Sequence, residues 1–200
     1  MKLDEIIMAT NNSNKLSEIK QIVGGILNFI SLSEAGITHT VIEDGAEFEE
    51  NAVKKAVEIM KLSGMPCLAD DSGIVVEALD GRPGVYSARY ACGSLDENAS
   101  DEQNNFKLLG EMSGVLNRSA KYVCVLALAV PGEDCVTFTG ECCGLISDKL
   151  CGTGGFGYDP LFYVEEYGKT MAQLSTDEKN RISHRRAAIN KLLIYLGRSL

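Results

Sequence analysis

Leu68-Ala69-Asp70-Asp71-Ser72-Gly73 ends an apolar run on two adjacent carboxylates. An ionised carboxylate taken out of water is costly unless cations or hydrogen-bond donors answer it. Packing alone gives little reason to set two of them together at the end of a core strand. A hard divalent cation, which takes oxygen ligands, supplies such a reason. The segment therefore reads as a strand over Cys67–Ala69, extended chain again over Ile74–Ala78, and a cation-linked site where they meet.

Outward from that stretch, strands and helices alternate. Ile6-Ile7-Met8-Ala9 reads as a short buried strand entering the polar loop Thr10-Asn11-Asn12-Ser13-Asn14. Leu16, Ile19 and Val23 then keep helical spacing until Gly24-Gly25, and Phe48, Ala52, Ala56, Ile59 and Met60 do so until Gly64 and Pro66. Ser100 with Gln103 is a capping-box signature for a helix reaching about Met112. Tyr122–Val130 reads as a long apolar strand and Cys135–Ile146 as a second, partly alternating one. A last helix over Arg185–Leu196 carries Ala188, Ile189, Leu192, Leu193 and Leu196 as its buried stripe. This order specifies an α/β fold with a mixed sheet. Two hundred residues without repeat or linker fit one domain spanning 1–200, with two lobes allowed.

Composition narrows the partners. The net charge is −9 and the pI about 4.8, with no block of Lys or Arg. Binding to a nucleic-acid polymer or an anionic membrane depends on clustered cations, so neither is expected. A small anionic substrate stays open, because a few local cations or a bound metal override the global sign. Seven cysteines form no C-x-x-C pair and only His39 and His184 are present, which argues against zinc. Cys67 and Cys124 read as core residues, and Cys142-Cys143 would face opposite sides of a strand. Reduced thiols in the cytoplasm are the plain reading. Met1 leads straight into Lys2-Leu3-Asp4-Glu5, from which no signal peptide is expected, and no apolar stretch has membrane-spanning length.

Three motif matches fail on context. Gly152-x-Gly154-x-x-Gly157 has the letters of a dinucleotide fingerprint, but Tyr158-Asp159-Pro160 follows where a helix must open. Gly168-Lys169-Thr170 resembles the end of a P-loop, yet Tyr163 stands where glycine is required. Asp71-Ser72-Gly73 matches an aspartic-protease triplet with no second copy to share its proton.

Four polar clusters remain, each with a plain structural reading beside a functional one. Thr10, Asn11, Asn12, Asn14 and Lys15 suit a phosphate tail at a helix start, or ordinary capping. Glu43-Asp44-Gly45 with Glu47, Glu49 and Glu50 offers either dipole partners or a metal ligand. The Asp70-Asp71 pair is followed by Asp80 to Tyr90, where Arg89 could answer an internal acid or a substrate. Gly155-Phe156-Gly157-Tyr158-Asp159-Pro160 allows close approach to a planar ligand with the Phe156 ring available for stacking, or simply a core aromatic. Lys179 and His184 lie about 140° apart on a continuous helix and serve one site only if the chain breaks between them, for which Ser183 is a suitable N-cap.

Ala9-Thr10-Asn11-Asn12-x-x-Lys15, Ala69-Asp70-Asp71-Ser72-Gly73, Pro83 to Tyr90, Gly154 to Pro160 and Lys179…Ser183-His184-Arg185 closely resemble, in order over about residues 5–196, the inosine/xanthosine triphosphate pyrophosphatase family. The resemblance implies two lobes around a long twisted mixed sheet, an active-site cleft between them, and a homodimer. It further implies Mg2+-dependent hydrolysis of inosine, deoxyinosine and xanthosine triphosphates (ITP, dITP, XTP) to monophosphate and pyrophosphate, keeping deaminated purines out of DNA and RNA. By the same resemblance Thr10, Asn11, Asn12, Ser13, Asn14 and Lys15 hold phosphates. Asp71 is the proton acceptor and a metal ligand, and Ser72 a substrate contact. Glu43 is the second metal ligand, with Asp44, Glu47, Glu50 and Asp70 as competitors. Phe156, Gly157, Tyr158, Asp159, Lys179, His184 and Arg185 surround the nucleoside and its phosphates. Residues 135–150 carry no family motif.

Phosphoryl transfer needs positioning and charge neutralisation more than covalent help, which agrees with this set. Lys15 and Lys179 are expected to stabilise the leaving pyrophosphate. Arg185 or the His184 backbone N–H would welcome the 6-keto group of hypoxanthine or xanthine and leave the adenine amino group unpaired. Two other classes stay in view: a Maf-type pyrophosphatase of modified or pyrimidine nucleotides, and a nucleotide sensor without turnover, which would have no need of the Asp pair.

Overall fold

The computed structural model describes residues 3, 5–92 and 97–200. Met1, Lys2 and Asp4, which carry the reading of the N-terminus, lie outside the described residues. Four fully buried residues form β1 (Ile6–Ala9), which pairs in parallel with β2 (Phe29–Ser31) and β3 (Cys67–Val76). The remaining strands are β4 (Ser119–Ala129), β5 (Val136–Ile146), β6 (Phe162–Val164) and β7 (Lys169–Thr170). They complete one mixed sheet of order β2-β1-β3-β4-β5-β6-β7, in which β5, β6 and β7 pair antiparallel. The helices are α1 (Ser13–Val23), α2 (Phe48–Ser63), α3 (Asp101–Glu111), α4 (Thr176–Ile182) and α5 (His184–Tyr195).

Local chemistry sets the helix ends. The Asn12 side chain accepts from the N–H groups of Asn14 and Lys15 and so opens α1. Gly64, at φ 69°, closes α2 in the left-handed conformation. Ser100 and Gln103 form the expected capping box on α3. Ser183 takes an extended conformation, so α4 ends at Ile182 and α5 starts afresh at His184. The helix is therefore not continuous from Lys179 to His184.

The chain divides into two compact units. The first comprises Met1–Asp71, Cys124–Gly140 and His184–Leu200. Its core joins Ile6, Met8, Leu68, Leu126 and Leu128 of the strands to Ile19, Ile22 and Val23 of α1 and to Ala188, Ile189, Leu192 and Leu193 of α5. The second comprises Ser72–Val123 and Glu141–Ser183. Ile74, Val76, Leu108, Met112, Tyr122, Ile146, Leu161 and Phe162 build its core, with the Tyr122 and Phe162 rings 4.5 Å apart. Every strand side chain buried here shields backbone hydrogen bonds as well as apolar area.

Two expectations need correction. The strand at Cys67 does not stop at the carboxylates; β3 runs through both to Val76. Successive strand residues point to opposite faces, so Asp70 and Asp71 separate into different surroundings rather than standing together at a strand end. The short strands β2, β6 and β7 and the helix α4 carry no legible periodicity, because runs of 2–7 residues are too short to show it. Cys142 is buried and Cys143 exposed, as alternation requires, and all seven cysteines are free. Among the described residues no helix is long and apolar enough to cross a membrane.

Gly140 marks the tightest approach inside the first unit. A Cβ there would stand 2.2 Å from the His184 carbonyl oxygen and 2.3 Å from the Ala188 nitrogen, both backbone atoms of α5. Gly140→Ala is therefore expected to lower unfolding free energy by roughly 1–3 kcal/mol or more. Urea denaturation followed by circular dichroism measures this, and an unchanged midpoint would show that α5 can shift freely.

Candidate active site

In the first unit Asp70 and Asp71 serve different masters. Asp70 is buried, and Lys15 Nζ of α1 lies 2.5 Å from its Oδ1. Arg185 Nε of α5 donates to Oδ2 at 3.2 Å, and the Cys124 thiol of β4 donates to the same oxygen at 3.1 Å. Burial alone would raise its pKa, but Lys15 and Arg185 outweigh burial and hold the carboxyl far below the ordinary range. The Arg185 guanidinium also donates to Glu18 at 2.7 Å. Arg185, expected as a donor to a base, is thus engaged with two internal acids, and Lys15 with one.

Asp71 meets Lys55 instead. Lys55 Nζ of α2 lies 2.9 Å from Glu43 Oε2, 2.8 Å from the Asp70 carbonyl oxygen and 3.8 Å from Asp71 Oδ1. One ammonium therefore draws Glu43 and Asp71 together. The other acids of the Glu43 segment have different partners. Asp44 pairs with Lys54 at 2.6 Å, Thr137 donates to Glu49 at 2.6 Å, and Glu50 accepts from the Ala46 and Glu47 N–H groups. Asn51 holds the loop by accepting from the Gly45 N–H at 2.8 Å. The Asp71 carboxyl is pushed up to about 6, chiefly by burial, against the pull of Lys55 and Lys15 and with Glu43 adding repulsion.

The loop before α1 is ordered by its own side chains. Thr10 Oγ1 accepts from the Asn12 N–H at 3.1 Å, and Asn12 Oδ1 takes the Asn14 and Lys15 N–H groups at 3.0 and 3.1 Å. Asn11 and Ser13 are exposed beside them. His184, at the start of α5, is buried in the same unit.

The second unit contains the aromatic cluster. Asp159 sits at its centre: Lys179 Nζ of α4 is 2.5 Å from Oδ2, the Phe156 N–H donates to Oδ2 at 3.0 Å, and Tyr122 donates to Oδ1 at 3.2 Å. The same Lys179 ammonium lies 4.7 Å from the centre of the Phe156 ring, a cation–π distance. Gly155 has φ 70°, and a Cβ there would fall 1.9 Å from Asp159 Oδ2, so glycine is required on both counts. Tyr158 is buried and donates to the Ser87 carbonyl at 2.8 Å. Ser72, half-buried on β3, opens this unit immediately after Asp71.

Sequence reasoning missed Lys55, Glu18, Tyr122 and the buried amides Asn51, Asn104 and Asn105. Lys55 had a signal: it falls on the buried stripe of α2 with Ala52, Ala56 and Ile59, where an unpaired cation would be untenable. The amides carry no periodic signal, since their partners are backbone groups, six residues away for Asn51, 13 and 16 for Asn104, and both four and 52 for Asn105.

These features define an α/β protein with a lysine-linked acid pair in one unit and an aromatic–lysine–carboxylate cluster in the other. Residues 6–195 match the Ham1 family. The chain is 50% identical over 198 residues to a dITP/XTP pyrophosphatase of Geobacter sulfurreducens, covering 98% of each. It is similar to the structure of the Staphylococcus aureus Ham1 protein, with TM-score 0.86 at 44% identity over 96% of this chain and 98% of that one. A HAM1 protein from Coxiella burnetii gives TM-score 0.87 at 38% identity over 98% and 99%. The chain belongs to the Ham1 family.

The two aspartates are expected to respond oppositely to removal of charge. Asp70→Asn leaves Lys15 and Arg185 facing a neutral group and should cost about 3–5 kcal/mol of stability at pH 7; an unaltered urea midpoint would refute the network. Asp71 has a folded pKa above its ordinary 3.8, so its favourable contribution is present below about pH 4 and lost as pH rises through about 6. In metal-free buffer Asp71→Asn should therefore gain roughly 1–3 kcal/mol at pH 8 and nothing near pH 3.5. A loss at pH 8 would show that its ion pair outweighs its burial.

Proposed function

We propose that this protein hydrolyses noncanonical purine nucleoside triphosphates, ITP, dITP and XTP, to the monophosphate and pyrophosphate, removing deaminated purines from the nucleotide pool. The chain is an α/β hydrolase of the Ham1 family acting on a nucleoside triphosphate. The observation that carries the reading is the acid pair of Glu43 and Asp71 drawn to Lys55, in a chain whose 50%-identical relative over nearly its full length is a dITP/XTP pyrophosphatase.

The donor chemistry fits a magnesium ion. Glu43 and Asp71 face one another across a single ammonium, leaving an excess negative charge of hard oxygen donors. Among the described residues no group of three His, Cys, Asp or Glu could hold a metal. Magnesium is commonly held by one or two carboxylates with substrate phosphates completing its shell, which is what two acids suit. Bound there by Glu43 and Asp71, Mg2+ would neutralise developing phosphate charge and activate water.

The chain's own groups then take these roles. Asp71 accepts the proton of the attacking water as the carboxylate that its place beside Lys55 and Glu43 keeps near the phosphates. Thr10, Asn11, Asn12, Ser13, Asn14 and Lys15 receive the phosphates, with Lys15 anchored by Asp70. Ser72 contacts the substrate. Phe156 stacks on the base, with Gly157, Tyr158 and Asp159 shaping its loop and Lys179 supplying positive charge. The His184 N–H donates to the 6-keto oxygen, while Arg185 acts through Asp70. Adenine, with an amino group at that position, leaves the donor unmet. We further infer one functional domain over residues 1–200, a homodimer, and a cytoplasmic location suited to seven free thiols.

Incubation with Mg2+ and a panel of ITP, dITP, XTP, ATP, GTP and pyrimidine triphosphates tests the reading by product analysis. Pyrophosphate from ITP, dITP and XTP, with ATP slower by on the order of 10⁴-fold, is expected. Asp71→Asn should reduce ITP turnover by on the order of 10²–10⁴-fold while the far-ultraviolet dichroism stays native. Equal rates on ATP and ITP, preference for pyrimidines, or an undiminished Asp71→Asn enzyme would overturn it.

A further inference from the structure

Phe156 is held by more than its neighbours in sequence. Its own N–H donates to Asp159, as described above, and the next peptide is captured by α3. The Gly157 N–H donates to Asp101 Oδ2 at 2.6 Å, and the Gly157 carbonyl accepts from Asn105 Nδ2 at 2.8 Å. The same Asn105 amine donates to the Asp101 carbonyl at 2.7 Å. Asp101 and Asn105 are four residues apart, so they lie on one face of the helix and grip Gly157 at both its polar backbone groups. Backbone on either side of the Phe156 ring is thereby fixed.

Asn105 has a further peculiarity. It is buried, and its Oδ1 is without a hydrogen-bond partner among the described residues. A buried acceptor left unmet weakens a fold, and an apolar side chain of similar volume would avoid the penalty. Its amine, in contrast, is fully engaged, donating to the Gly157 and Asp101 carbonyls.

We propose that Asp101 and Asn105 are positioning residues for base selection: by clamping Gly157 they set the plane of the Phe156 ring and hence the discrimination between 6-keto and 6-amino purines. The inference rests on the reading of Phe156 as the nucleobase platform. Small displacements of a positioning group are felt strongly, because discrimination depends on hydrogen bonds being met or missed. Asp101 is exposed, so its substitution tests the clamp without opening the core.

The experiment compares the parent with Asn105→Ala, Asp101→Ala and Asp101→Asn, measuring kcat and KM for ITP and ATP and the calorimetric binding of inosine monophosphate. Both alanine variants should raise KM for ITP on the order of tenfold, with kcat within about threefold of the parent, and move the ITP:ATP ratio of kcat/KM toward one. Asp101→Asn, whose amide oxygen still accepts from the Gly157 N–H, should stay within about threefold of the parent throughout. The clamp is overturned if the alanine variants lose only kcat or thermal stability with preference intact, or if Asp101→Asn is as impaired as Asp101→Ala. Should Asn105→Ala fail to fold, the two Asp101 variants decide. A parent that neither hydrolyses ITP nor binds inosine monophosphate overturns the underlying reading and this proposal with it, and the parent arm alone reveals that.

Discussion

Asp70 is a carboxylate with almost no access to water, and three other elements of the first unit converge on it. Lys15 comes from α1, Arg185 from α5, the Cys124 thiol from β4, and the aspartate itself from β3. Breaking such a set by removing one member leaves a charge stranded in a poor solvent, which is why buried pairs are fragile to single substitution even when they add little net stability. The consequence is geometric. With Asp70 committed, Lys15 is fixed at the start of α1 beside the Thr10–Asn14 loop, and β3 can continue without a break. Its neighbour Asp71, turned to the other face by the pleat, is left to Lys55 and Glu43.

That separation explains how two adjacent acids acquire opposite protonation behaviour. The cations around Asp70 overwhelm the effect of burial, whereas around Asp71 burial prevails over a more distant lysine. Enzymes that run proton transfer near neutral pH commonly set one carboxyl low and a neighbour high by this contrast of surroundings. The second unit repeats the device in another form. Asp159 fixes Lys179 and the Phe156 backbone together, so a cation and an aromatic ring are presented as one rigid group.

Most of the helices were legible in the sequence because their chemistry is local. The apolar spacing of α1, α2 and α5, the Ser100–Gln103 box and the helix break at Ser183 all depend on residues within a few positions of one another. The long strands β4 and β5 were legible for the same reason, being long enough to show their pattern. The site was legible as a set of motifs but not as an arrangement. Nothing within Leu68–Gly73 says that Asp70 belongs to an internal network reaching Arg185, 115 residues away. Nor does the sequence around Lys55 reveal that one lysine gathers Glu43 and Asp71, because that contact is made by the packing of α2. Only a charged residue on an apolar stripe hinted at it.

The division between the two aspartates can be measured directly by carbon-13 NMR titration of the side-chain carboxyls in the metal-free protein. The account predicts that Asp71 titrates near pH 6 while Asp70 remains ionised to the acid limit of the folded state. Two ordinary midpoints near 4, or an Asp70 that protonates before Asp71, would contradict it.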